Sequence, residues 1–261
     1  MIFQQGELFN RDKVQESINI LRYLEPERGY WLAFSGGKDS IVIKQLAIEA
    51  GVKFVAHYNL TTLDPPELVG FIRKHHRDVI VERPLKSFRR LCLDHGAFLP
   101  TRKIRFCCEI LKEKSGPGSA IITGIRAAES NRRADRDNFE FSYKDASKVY
   151  IHPIMHWTDS DVWAFIRNRN LPYCELYDRG WKRIGCLFCP MASTWRRNQD
   201  LIEYPHHAAR ILSICSEIVA ERELRGLRCV WNTGEEFLDW WINDRSAVDD
   251  SMPLFDEAGS E

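Results

Sequence analysis

The chain has no excess of either charge: 37 Lys and Arg balance 37 Asp and Glu. A global electrostatic pull toward nucleic acid is therefore missing, and only local basic clusters remain as candidates. No apolar run reaches the roughly 20 residues that a membrane-spanning helix needs. Met1 to Arg11 lacks the basic-then-apolar order of a secretory leader, so a cytoplasmic location without membrane attachment is expected. Internal repeats and low-complexity stretches are also missing. What remains, at 261 residues and 44% apolar, suits one large α/β domain or one with a helical appendage.

The chain is organised around Trp31-Leu32-Ala33-Phe34-Ser35-Gly36-Gly37-Lys38-Asp39-Ser40. Four apolar residues read as a buried strand, two glycines turn the chain, and Asp39 or Ser40 starts a helix carrying Ile41, Val42, Leu46 and Ala47. Such a turn exposes backbone N–H groups, and the positive end of the following helix points at the same spot. Ser35, Lys38 and Ser40 add donors, which makes a cradle for phosphate or pyrophosphate. The spacing differs from the Walker pattern, Gly-x-x-x-x-Gly-Lys-Ser/Thr. The plain alternative is an ordinary strand–turn–helix corner.

Around this loop the pattern alternates. A helix is expected over residues 11–24, ended by Glu25 to Gly29, and Gly51 caps the helix after the loop. Strands follow at Lys53–Tyr58, Asp78–Glu82, Ala120–Gly124 and Val149–His152. Helices are expected from Pro65-Pro66 to about His76, over Ser87–His95, and from Thr158, where Asp161 completes a capping box. Residues 135–148 read as a mobile insert or a hairpin. Alternating strands and helices predict a doubly wound, mostly parallel sheet with its ligand crevice at the carboxyl ends of the strands. The expected division is 1–193 as the nucleotide-binding domain, 194–245 as a helical C-terminal region, and 246–261 as a flexible acidic tail.

Thr61, Thr62 and Asp64 leave a strand at the ligand edge, although Asp64 as a helix cap explains part of that pattern. Gly124-Ile125-Arg126 sits at a strand end, where an arginine fork can bind phosphate oxygens; an Arg126–Glu129 ion pair is the alternative. The local basic clusters are Arg102 to Arg105, Arg132 with Arg133, and Arg196 with Arg197.

Eight cysteines are many for a reducing compartment. Cys92, Cys174, Cys215 and Cys229 are scattered. Cys107-Cys108 and Cys186-x-x-Cys189 are paired, and a Cys-x-x-Cys turn commonly presents two thiolates to one metal centre. Adjacent cysteines at a helix start differ by about 100° around the axis, so both can touch one bulky cluster. Zinc is the second choice, and a redox dithiol at Cys186/Cys189 the third.

Ser35-Gly36-Gly37-x-Asp39-Ser40 resembles the Ser-Gly-Gly-x-Asp-Ser signature of the PP-loop ATP pyrophosphatases. Cys-Cys with a distant Cys-x-x-Cys is similar to the [4Fe–4S] ligand set of assimilatory adenylyl-sulfate reductases and of iron–sulfur DNA phosphorothioation sulfurtransferases. Both groups belong to the phosphoadenosine phosphosulfate (PAPS) reductase-like family. The resemblance runs from about Trp31 to Pro190, through the loop, Thr61 to Glu67, Arg105 to Lys112, Gly124 to Ser130 and Gly185 to Pro190.

The resemblance implies an adenine nucleotide α-hydrolase-like fold and a [4Fe–4S] cluster on Cys107, Cys108, Cys186 and Cys189. It implies ATP and Mg²⁺ bound through Ser35, Gly36, Gly37, Lys38, Asp39, Ser40, Thr61, Thr62, Gly124, Arg126 and Glu129, with Lys38, Asp39 and Arg126 catalytic. The family's reductases have a degenerate loop and a catalytic cysteine in a C-terminal Glu-Cys-Gly-Leu-His motif. Here the loop is intact and nothing after Cys189 matches that motif.

The expectation is therefore an ATP-dependent adenylating sulfurtransferase that releases pyrophosphate. Its partners would be a sulfur donor such as a cysteine desulfurase and a DNA or RNA acceptor presented by other proteins, the chain itself acting as a homodimer. The alternatives are a PAPS or adenylyl-sulfate reductase using thioredoxin and releasing sulfite, and a non-catalytic nucleotide-binding subunit with a structural metal.

Overall fold

A computed structural model of the chain describes residues 5–243; the tail expected from residue 246 lies outside the described residues. The chain forms two compact units, each discontinuous in sequence. The first holds the described residues through 59, with 66–83 and 114–184; the second holds 60–65, 84–113 and 185 onward. The chain thus passes between units several times, where a single boundary at 193 is the expectation from sequence. Among the described residues no helix is long and apolar enough to cross a membrane.

The first unit carries one six-stranded sheet in the order β3-β2-β1-β4-β6-β5. Its strands are β1 (Tyr30–Ala33), β2 (Phe54–Asn59), β3 (Ile80–Glu82), β4 (Ala120–Ile122), β5 (Phe139–Phe141) and β6 (Val149–Ile151). All pairs are parallel except β5 with β6, so the polar stretch after residue 135 forms a hairpin arm. From β1 the chain winds one way through β2 and β3, and then returns to lay β4 on the opposite side of β1. The order reverses between β1 and β4, and ligands of open α/β sheets bind at that point, beyond the carboxyl ends of the strands.

The helices of this unit are α1 (Gln5–Tyr23), α2 (Lys38–Ala50), α3 (Pro66–His75), the short α6 (Asn131–Ala134) and α7 (Asp159–Asn168). Helix α2 begins at Lys38 with Gly37 as its N-cap, one residue before the expected start, and Gly51 closes it at φ 71°. The capping box at α7 forms as expected: Thr158 accepts from the Asp161 N–H, and Asp161 accepts from the Thr158 N–H. Leu32, Val42, Ile43, Leu46, Ile122 and Val162 are fully buried and fuse sheet to helices. Each such side chain contributes roughly 1.5–3 kcal/mol.

The second unit is helical: α4 (Phe88–Asp94), α5 (Phe106–Cys108) running into a π-helical segment (Glu109–Glu113), α8 (Thr194–Glu203), α9 (Pro205–Leu224) and α10 (Gly234–Asn243). The helical region expected after residue 194 is present, broken at Tyr204, where Pro205 opens α9. Its core gathers Leu91, Leu99, Phe188, Ile211, Ile218 and Phe237. Arg197 is fully buried among them, donating to the Trp241 carbonyl at 2.7 Å, and Arg196 pairs with Asp200 at 2.8 Å. That sequence-adjacent basic pair therefore braces the core instead of forming a basic surface.

Candidate functional site

In the first unit, residues after β1 and after β4 meet at the reversal point. Gly36 has φ 73°, a left-handed conformation, and a Cβ there would lie 2.6 Å from Leu68 Cδ1 and 2.8 Å from Ile72 Cδ1. Only glycine satisfies both constraints without adjustment. Gly37 caps α2 without any side-chain cap bond. The loop is cross-tied by its own hydroxyls: Ser40 Oγ donates to the Gly37 carbonyl at 2.8 Å and lies 3.3 Å from Ser35 Oγ. Ser35 is exposed, so the loop opens to solvent on that side.

Two buried cations stand behind the loop. Arg126, 3% exposed, donates to Asp39 Oδ1 at 2.7 Å, to Asp159 Oδ1 at 3.0 Å and to the Trp157 carbonyl at 3.3 Å. Lys38, 5% exposed, approaches Asp159 Oδ1 at 3.1 Å, Asp39 Oδ2 at 3.7 Å and the Lys182 carbonyl at 3.4 Å. Gly124 lets the two loops close up, since a Cβ on it would sit 3.0 Å from Asp39 Cβ. Two cations and two carboxylates thus form one network.

Arg126 does not pair with Glu129 through its side chain, and three of its five N–H donors are engaged by Asp39, Asp159 and the Trp157 carbonyl. Glu129 instead pairs with Arg133 and accepts from the Arg126 backbone N–H at 3.2 Å. Both Asp39 oxygens face cations, Oδ1 toward Arg126 and Oδ2 toward Lys38, and Gly37 rather than Asp39 caps α2.

Sequence reasoning missed Tyr177. Its hydroxyl accepts the Lys38 N–H at 2.8 Å, occupying a donor that a phosphate oxygen would use. Burial pushes the Tyr177 phenol well above its ordinary range. No local signal marks this residue; the irregular 171–178 stretch has no periodicity to place it.

The second unit gathers all four paired cysteines. Cys107 and Cys108 hydrogen-bond to each other, and that bond favours the proton on Cys107 and the thiolate on Cys108, with Lys112 and Arg105 adding positive charge beside Cys108. The charges of Cys186 and Cys189 also act on Cys107 and raise it further. Lys112 Nζ donates to Cys186 Sγ at 3.5 Å, and the Cys186 charge raises the lysine pKa. Burial pushes the Cys189 thiol up.

Thr61 belongs to this unit: Thr61 Oγ1 is 3.3 Å from Cys186 Sγ, and its N–H and hydroxyl both donate to Asp64 Oδ2. Thr62, at φ 67°, accepts the Phe88 N–H at 3.3 Å. Thr61 and Thr62 thus group with the cysteines and α4. Among the described residues, no three His, Cys, Asp or Glu side chains converge on a single-ion position. Cys108 and Cys186 both lie beside the Lys112 cation, with Arg105 adding positive charge at Cys108.

These sites define a nucleotide-type α/β fold with an added cysteine centre. The phosphoadenosine phosphosulfate reductase domain model matches residues 29–192, and the chain belongs to that family. It is 31% identical over 200 residues to an adenosine 5'-phosphosulfate reductase of Geobacillus kaustophilus, covering 70% of this chain and 83% of that protein. It is 28% identical over 197 residues to an uncharacterized protein of Methanocaldococcus jannaschii, covering 70% of this chain but 40% of that longer protein.

Among solved structures, the PAPS reductase of Candida auris, in its phosphate complex, superposes with a TM-score of 0.51 at 20% identity, covering 71% of this chain and 97% of that one. The FMN adenylyltransferase of Candida glabrata with ATP gives 0.50 at 17% identity, covering 71% and 65%. At these identities the likeness establishes the fold alone, an α/β fold shared with these proteins.

Proposed function

We propose that the chain is an ATP-dependent adenylating sulfurtransferase of the PAPS reductase-like family. The intact loop Ser35 to Ser40, backed by the buried cations Lys38 and Arg126, carries this reading. ATP binds with its β- and γ-phosphates on the loop amides, bringing its own Mg²⁺. An oxygen of the acceptor attacks the α-phosphorus, the bond to the β-phosphate oxygen breaks, and pyrophosphate leaves. A donor such as a cysteine desulfurase delivers sulfur as a persulfide, and two electrons from a thiol reductant bring it to sulfide. This sulfur displaces AMP, its bond to the acceptor forming as the acceptor's bond to the AMP-bearing oxygen breaks. The protein's part in the first step is positioning and neutralising charge: Lys38 next to the leaving group, Arg126 holding Asp39 and the α2 entrance in place. The acceptor class is nucleic acid, DNA or RNA, presented with partner proteins.

Cys107, Cys108, Cys186 and Cys189 would hold a [4Fe–4S] cluster. When bound, such a cluster supplies electron-transfer or sulfur-binding chemistry. The chain's own contribution there is the charge of Lys112 and Arg105, which favours anionic sulfur.

A second reading, sulfonucleotide reduction, is favoured by the relatives named adenosine 5'-phosphosulfate reductase. It needs a reactive thiol toward the C-terminus. Cys215 is fully buried in α9, and burial pushes its thiol up to about 12, which makes it a poor nucleophile. Cys229 donates to the Trp231 carbonyl at 3.2 Å.

The test is product analysis with purified protein. Pyrophosphate release from ATP that disappears in Ser35→Ala and Lys38→Ala supports adenylation. Sulfite release from adenylyl sulfate or PAPS with thioredoxin overturns it in favour of reduction. ATP binding without either product leaves a nucleotide-binding subunit.

A further inference from the structure

At the reversal point, beside the phosphate loop, lies a second constellation that the mechanism above does not use. Thr123 follows β4 and is half-exposed, and its N–H continues the ladder to the Ile151 carbonyl at 2.9 Å. His152 follows β6 and is fully buried. Thr123 Oγ1 and His152 Nδ1 are 2.6 Å apart, and His152 Nε2 is 3.1 Å from Glu140 Oε1 on β5. Arg136 pairs with the same Glu140 oxygen at 2.7 Å, and the His152 N–H donates to the Asn138 carbonyl at 2.8 Å. The hairpin arm β5–β6 thus exists, in part, to fix this imidazole.

Donor–acceptor bookkeeping assigns the protons. A carboxylate in an ion pair with arginine can only accept, so His152 Nε2 must carry a hydrogen. Full burial disfavours the imidazolium, and it lowers the His152 pKa despite Glu140. A neutral ring protonated at Nε2 has a bare Nδ1, and the partner at 2.6 Å must then be a donor. That partner is the Thr123 hydroxyl, whose one proton is spent on His152. Its remaining lone pair is therefore available only to accept.

We infer that Thr123, oriented by His152 and Glu140, is a specificity site that accepts a hydrogen bond from a donor group of the bound nucleotide, either a ribose hydroxyl or the adenine amino group. This rests on the nucleotide-binding reading above and deepens it. Gly124, the next residue, touches Asp39 of the phosphate loop's helix, so the same short turn serves the loop and presents the acceptor. A polar site built to pair with a donor rejects analogues that lack it more strongly than an apolar pocket could, because the acceptor, once covered by the bound nucleotide, is left unpaired.

Two measurements on the full chain test this. In protein labelled with ¹⁵N-histidine, the neutral ring of His152 should carry its hydrogen on Nε2 with Nδ1 unprotonated; a ring protonated at Nδ1 overturns the inference, because Thr123 would then accept inward and donate outward. Binding of ATP, 2'-deoxy-ATP, 3'-deoxy-ATP and ITP is then compared in wild type and Thr123→Val, a near-isosteric change. One analogue should bind about tenfold more weakly than ATP to wild type and equally well as ATP to Thr123→Val. Which analogue does so identifies the donor as the 2'-hydroxyl, the 3'-hydroxyl or the adenine amino group. Tight ATP binding with no analogue penalty, or a penalty that survives in Thr123→Val, overturns the specificity site. A wild-type chain that fails to bind ATP overturns the nucleotide reading itself, which is a separate outcome.

Discussion

Arg126 Nε donates to Asp39 Oδ1 at 2.7 Å, tying the turn after β4 to the first turn of α2 across the point where the sheet order reverses. The arginine is nearly inaccessible while Asp39 keeps partial contact with solvent. Removing the cation leaves Asp39 facing only Lys38 at 3.7 Å. Breaking a buried pair from one side is costly, so Arg126→Ala should lose about 3 kcal/mol of stability, read as a lower urea midpoint at unchanged m. Asp159→Asn, at an exposed carboxylate, should lose under about 1 kcal/mol in the same assay.

Gly36 and Gly51 both have left-handed backbones, with φ 73° and 71°, but only Gly36 is enclosed by side chains. Each alanine variant pays roughly 1–2 kcal/mol for the backbone conformation. Gly36→Ala must additionally push aside Leu68 and Ile72, so it should be the less stable of the two and should bind ATP more weakly. Equal melting midpoints for the two variants would contradict the packing seen around the loop.

Tyr177→Phe removes the acceptor of the Lys38 N–H. The free protein then keeps an unsatisfied amide that a phosphate oxygen can take without displacing a partner. Stability should fall by about 1 kcal/mol, and affinity for ATP or pyrophosphate should rise several-fold. Calorimetric titration checks the sign; weaker binding would mean that the hydroxyl itself holds the ligand.

His76 is held near a pKa of about 4 by burial and by the charge of Lys44, whose Nζ lies 3.3 Å from its Nδ1. Its folded pKa is depressed below the ordinary 6.5, so the unfolded chain binds the extra proton between those values. The contribution of this site is complete above about pH 6.5 and is lost as pH falls toward 4. Allowing for partial solvent screening, wild type should lose roughly 2 kcal/mol more than His76→Gln across that window. Urea unfolding of both proteins at several pH values gives the difference directly.

The cysteine site predicts its own colour. Protein purified without oxygen should carry iron and acid-labile sulfide, with broad absorbance near about 400 nm, and Cys107→Ser or Cys186→Ser should abolish it. A colourless protein with one equivalent of zinc would replace the cluster with a single-ion site.

Short-range features were legible because their causes lie within a few residues. The glycine turn, the caps at Thr158 and Gly51, and the alternation that forces a parallel sheet follow from local sterics and hydrogen bonding. The paired cysteines were legible as a group by their spacing, but only folding gathered their segments into the unit of the C-terminal helices. The partners of Arg126 and Lys38 lie 87 and 139 residues away, at Asp39 and Tyr177, and no periodicity encodes such a meeting. The same holds for Arg197, which looks like surface charge in sequence and is spent on the Trp241 carbonyl in the core. The sequence alone determined which residues can make a phosphate turn, a sheet and a thiolate set; the tertiary structure decided which donors remain open, because that depends on what the distant chain brings alongside them.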